Sequence, residues 1–168
     1  MQQFKKETLD RVGEVGSKKV AEAFTILAKV PVTVKTSRAE TIPLSEAEQY
    51  LLPKTDHAVV VYSQVLAGLP IHGVSFLTLD RGDALTLVDI LNQQAIGTTA
   101  ILKDIDRSAI KETLNILSNA YLNALAEIAE VELGLGAPIM ITSSRLKDIV
   151  EMSMKKQAEA NDTAVVFE

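Results

Sequence analysis

Between about Thr8 and Lys29 the apolar residues Val12, Val20, Ala23, Phe24 and Leu27 recur mostly at helical spacing and predict a first helix. Gly13 and Gly16 lower the propensity of its early turns by about 1 kcal/mol each. Val30 to Lys35 then alternates apolar and polar around Pro31, as an edge strand does. After a turn-rich stretch to Pro53, His57 to Val65 and Ile71 to Leu79 are β-branched, apolar or alternating. With Ala67-Gly68-Leu69-Pro70 as the turn between them, they predict a β-hairpin. Asp80-Arg81-Gly82-Asp83 suits the start of a short helix to about Asn92, and the polar stretch Gln93 to Thr99 marks the middle of the chain.

The strongest periodicity lies between Ser108 and about Glu132, where Ile110, Leu114, Leu117, Tyr121, Ala124, Leu125 and Ile128 recur three and four apart. Gly134-Leu135-Gly136-Ala137-Pro138 closes this second long helix. The Gly134-x-Gly136 pair follows the helix, so it reads as a C-terminal cap and not as a dinucleotide loop. Pro138 to Thr142 predicts a proline-led strand, and Thr163 to Glu168 a last one. Between them, Arg145 to Gln157 places Leu146, Ile149, Val150 and Met154 on one helical face, for packing on a sheet.

An offset of 98 residues sets Asp10, Glu14 and Ser17 against Ser108, Glu112 and Asn115, each trio followed by a helix and then a short strand. This weak repeat predicts a single domain over residues 1–168 made of two pseudo-symmetric halves, about 1–98 and 99–168. The fold class expected is α+β: helix–strand–hairpin units duplicated about a pseudo-two-fold axis, forming one sheet with two long helices packed on it. The second copy reads as incomplete, because Thr163 to Glu168 supplies only one strand of a hairpin. Either the chain is cut short there or that strand pairs elsewhere.

Composition narrows the chemistry. Of 168 residues 47% are hydrophobic and 23% charged, the balance of a globular protein. There is no cysteine, which removes disulfides, thiolate nucleophiles and cysteine-ligated metals and fits a reducing cytoplasm. His57 and His72 are the only histidines, so no multi-histidine metal site can be written, and lone histidines on strands are more often hydrogen-bonded structural groups than catalysts. The first residues lack the apolar run of a signal peptide, and no stretch of 18 apolar residues suggests a membrane span. A net charge of −5 with 4% aromatic residues lacks the basic stripe and stacking platform of a nucleic-acid binder.

Projected at 100° per residue, Ser108, Asn115, Asn119 and Asn123 fall within about 60° of Glu112, opposite the leucine stripe. A solvated face usually carries Lys, Glu, Gln or Arg, because the short asparagine amide competes with the helix backbone. One reading is structural, with the asparagines packing against loops or capping neighbouring backbone groups. The other is chemical: Glu112 and Asn115, three apart, set a carboxylate beside an amide, and one can hold a cation while the other orients a water.

The run Ser108-x3-Glu112-x2-Asn115-x22-Pro138 resembles the D/S-x3-E-x2-N-x22-P signature of the CheC, CheX and FliY phosphatases, which act on the phosphorylated chemotaxis regulator CheY. LDRVGEVGSKKVAEAF is similar to the first helix of that family, KETLNILSNAYLNALAEI to the second, and Ile42-Pro43-Leu44 to the segment after its first strand. The resemblance covers nearly the whole chain. It implies hydrolysis of the aspartyl phosphate on CheY, with Asn115 orienting the attacking water and Glu112 engaging a lysine of the regulator. No cofactor of the chain's own is implied, since the regulator brings a divalent ion, magnesium. Ser108, as a helix N-cap, and Pro138, starting the next strand, would frame the site.

The family can carry two copies of the signature. Here Asp10 and Glu14 are followed by Ser17 in place of asparagine, and Glu40 stands where the proline belongs, so the first site reads as degenerate. The resemblance also implies CheD, a receptor deamidase, as a possible partner. Flagellar switch proteins share the fold, so the alternative is a non-catalytic binding or regulatory module, a CheD partner or a sink for phosphorylated CheY.

Overall fold

The computed structural model describes residues 5–35, 39–46, 58–67, 73–141 and 163–167, with positions 145, 148, 149, 151, 152 and 155. The elements are α1 (Lys6–Ala28), β1 (Ala39–Pro43), a 3-10 turn (Leu44–Glu46), β2 (Val59–Ala67), β3 (Gly73–Leu79), α2 (Arg81–Leu91), α3 (Asp104–Ala129), β4 (Leu133–Leu135), β5 (Ile139–Ile141) and β6 (Thr163–Phe167). The fold is α+β, with the hairpin and both long helices where the periodicity set them.

The larger sheet is organised around β2. Its hairpin partner β3 runs antiparallel along one edge, from Val59 opposite Leu79 to Val65 opposite Gly73. The other edge takes two short antiparallel strands in succession, β5 against Val60 to Tyr62 and β4 against Val65 to Ala67. Between them the register slips by one residue, so Gly136 to Pro138 forms a bulge opposite Ser63 and Gln64. Gly136 N–H donates to the Gln64 carbonyl (2.8 Å), and the buried Ser63 hydroxyl donates to the Gly136 carbonyl (2.7 Å). Pro138, which has no N–H for a ladder, sits where none is called for.

The apolar run at the start of β2 is buried on both faces, which is why it does not alternate. Val61 joins Ala84, Leu87 and Val88 of α2 and Ile110 and Leu114 of α3 in the main core, with Phe24 of α1 packed against it. Ala58 and Val60 face the other way, with Ile141, Tyr62, Phe76 and Ile149. All described positions between 145 and 155 are helical, and Ile149 packs on this second face; Leu146, Val150 and Met154, the other apolar positions of the expected stripe, lie outside the described residues. α1 packs along α3, and a methyl group on Gly16 would lie 2.5 Å from the Tyr121 ring. That approach requires glycine there.

Several expectations are corrected. In place of one continuous sheet, the described strands form two, because β6 pairs antiparallel with β1, from Ala39 opposite Phe167 to Pro43 opposite Thr163. The last strand thus pairs elsewhere. Residues 31–35 are not a strand: Val32 and Val34 are partly buried with exposed neighbours, but the ladder forms at Ala39–Pro43. Gly134 does not cap α3. The helix ends with Glu130 in the left-handed region (φ 54°), and Gly134 lies in β4 opposite Leu66. His57 and His72 lie outside the described residues. Among those described, no helix is long and apolar enough to cross a membrane.

Candidate functional site

α3 begins one turn earlier than its leucine spacing suggests. Asp106, nearly buried, accepts the Lys103 N–H at 2.8 Å, and Asp104 and Asp106 place negative charge at the positive end of the helix dipole. Ser108 is therefore not the N-cap but an exposed residue inside the helix. The helix is held against the sheet by Ile110 and Leu114 in the core and by a bond of 2.6 Å between the Ser118 hydroxyl and Ser75 of β3. Thr113, also buried, turns its hydroxyl back to the Ala109 carbonyl. These contacts fix the helix rotation, which leaves the opposite face outward.

That face carries the candidate residues. Ser108, Glu112 and Asn123 are exposed, while Asn115 and Asn119 are half-buried. Asn119 Nδ2 donates both to the Asn115 carbonyl (2.8 Å) and to Asn115 Oδ1 (3.2 Å). Part of the asparagine run is thus structural, one amide bonded back to the preceding turn, as the structural reading of this face anticipates. Toward the N-terminus the same stripe runs into Ile105, 74% exposed, with Ile101, 70% exposed, just before the helix. Pro138 is half-buried at the bulge between β4 and β5.

The corresponding face of α1 is built differently. Asp10 and Glu14 are exposed, but Ser17 is buried and its hydroxyl donates to the Gly13 carbonyl at 2.6 Å. Gly13 and Gly16 are buried with it, and Gly16 lies at the side of α1 that meets α3. The three residues matched by the repeat do not share an accessible face. Glu40, opposite Pro138 in the repeat, is exposed within β1.

The periodicity does not reveal Asp89. Wholly buried on α2, its carboxylate accepts the N–H groups of Gly97 (2.7 Å), Thr98 (3.0 Å) and Thr99 (2.9 Å). The Thr99 hydroxyl and these N–H groups hold its pKa below the ordinary value, and burial opposes them without prevailing. Asp89 thereby anchors the segment leading into α3. The available signal was an acid set among Leu87, Val88, Ile90 and Leu91, eight residues before Gly97-Thr98-Thr99. On the far side of the helix pair, Lys19 bridges α1 to Glu127 of α3 at 2.8 Å and lowers the Glu127 pKa, though both groups are too exposed for the pair to add much.

No protein-family model matches the chain. Its structure is similar to that of FliY from Thermotoga maritima, with 16% identity over 84% of this chain and 72% of that one and a TM-score of 0.61. The FliM middle domain from Vibrio alginolyticus shares 15% identity over 83% of this chain and 75% of its own, with a TM-score of 0.56. The chemotaxis protein CheX from Vibrio vulnificus shares 14% over 78% and 74%, with a TM-score of 0.54. The chain has the CheC-like fold of these chemotaxis and flagellar proteins. At such identities the fold is common while the chemistry belongs to the residues of each site.

Proposed function

We propose that this protein is a chemotaxis phosphatase that hydrolyses the aspartyl phosphate of CheY. The observation that carries the reading is the outward face of α3, where exposed Glu112 stands one turn before an Asn115 whose amide is already held. Hydrolysis of an acyl phosphate needs little covalent help. The oxygen of water attacks phosphorus in line, the bond from phosphorus to the aspartyl oxygen breaks, the carboxylate leaves with the electron pair, and the proton lost by the water passes to solvent. What a protein can add is a positioned water and an ordered partner. In this reading Asn115 enters the regulator's site and orients the water, while Glu112 pairs with the regulator's lysine. The regulator supplies its own magnesium ion.

The exposed Ile105 on the same stripe supports a protein partner over a small solute, since it offers apolar area beside the polar pair. The fold shared with CheX and FliY supports the same system, and a cytoplasmic location follows from the partner. The likeness to the FliM middle domain favours a second reading, a binding module of the flagellar switch or of CheD without turnover. Decay of phosphorylated CheY with magnesium separates the two. The phosphatase accelerates it and Asn115→Ala abolishes the acceleration while CheY binding persists; a wild type that binds without accelerating decay establishes the module.

A further inference from the structure

We propose that Asn119 is a positioning residue for this site, setting the orientation in which Asn115 presents its amide; the proposal rests on the phosphatase reading of Glu112 and Asn115. An asparagine amide has two nearly isosteric orientations, related by a half-turn about its last torsion, that exchange a donor for an acceptor. Orienting a water needs one of them. Asn119 Nδ2 lies 2.8 Å from the Asn115 carbonyl and 3.2 Å from Asn115 Oδ1. Because the nitrogen is tied to the backbone carbonyl, Asn119 is held with its donor toward Asn115. A reversed Asn115 would set N–H against N–H and lose the bond.

Asn119 therefore selects the orientation with Oδ1 inward, and Asn115 turns its own Nδ2 hydrogens away from Asn119. The geometry also accounts for asparagine one turn beyond the pair. Serine, with a single O–H donor, cannot bond the carbonyl and the neighbouring amide oxygen at once, and alanine, the better helix former, would leave the Asn115 amide free to turn.

The test measures kcat and KM for phosphorylated CheY, with magnesium, in wild type, Asn119→Ala, Asn119→Asp, Asn119→Gln and Asn115→Ala, beside thermal melts of each. Expected are a kcat lowered about tenfold in Asn119→Ala and Asn119→Asp with KM unchanged, and most of it regained in Asn119→Gln, which keeps the donor. Asn119→Ala should melt no lower than wild type, because its helix propensity is higher, so slower turnover cannot be laid to a weaker fold. Wild-type turnover in Asn119→Ala and Asn119→Asp, with Asn115→Ala inactive, overturns the positioning role and leaves the phosphatase reading standing. A wild type without turnover overturns both.

Discussion

The two long helices carry related triplets of polar residues, and only one presents them. On α3, Ser108, Glu112 and Asn115 lie on the side away from the core, with the rotation fixed by Ile110, Leu114 and Ser118. On α1, Ser17 is buried, 7% exposed, beside buried Gly13 and Gly16. Next to it, Gly16 lies so close to the Tyr121 ring that a methyl group there would stand 2.5 Å from it, and the Ser17 hydroxyl is spent on the Gly13 carbonyl. Packing, and not only the change from asparagine to serine, thus separates the two faces. A side chain can lose a water-orienting role by rotation of its helix as fully as by replacement.

The sharpest way to break this contrast is a pair of truncations. Asn115→Ala should lower turnover of phosphorylated CheY by about 100-fold or more with the fold retained, while Ser17→Ala should leave it within about twofold. Equal losses would mean that Ser17 reaches the partner despite its burial.

Gly16→Leu should come next, because the new side chain meets the Tyr121 ring with no room to spare. It should destabilise the fold by about 1–3 kcal/mol in urea unfolding, and full stability would show that the helix pair is looser than described. A subtler version restores the missing amide. Ser17→Asn puts a larger polar group into the same covered position, so it should cost about 1–3 kcal/mol and add no turnover. Added turnover would overturn the comparison.

The smallest effect concerns the lead into α3. Since the Asp89 pKa is lowered in the folded chain, its ionised form is the one that stabilises. That contribution is fully present above the unfolded carboxylate value and is lost as pH falls through the lowered folded value. Asp89→Asn should melt below wild type at neutral pH, and the gap between the two should narrow as pH falls below the ordinary carboxylate value. A gap that is the same at every pH would place the role of Asp89 in shape instead of charge.

Local pattern made much of this legible. The hairpin, both long helices and the polar face opposite the leucine stripe follow from spacing, because a repeat of 3.6 or 2 fixes which side of an element can be buried. The start of α3 did not follow, since Lys103 and Asp106 settle it before the apolar repeat begins. Nor did the strand at Ala39–Pro43, whose partner β6 lies more than a hundred residues further on and leaves no local trace. Asn119 was visible as one of three asparagines, but its bond to Asn115 depends on side-chain directions that spacing alone does not set.

By itself, then, the sequence determined the class of fold, the position of the long second helix and the candidate pair on it, because each rests on contacts within a turn or two of chain. Tertiary structure alone decided that β1 pairs with β6, that Ser17 is buried while Asn115 is only half-buried, and that Asp89 clamps the approach to α3. Those outcomes depend on which distant surfaces meet and how closely, and close packing, unlike periodicity, is a property of the assembled whole.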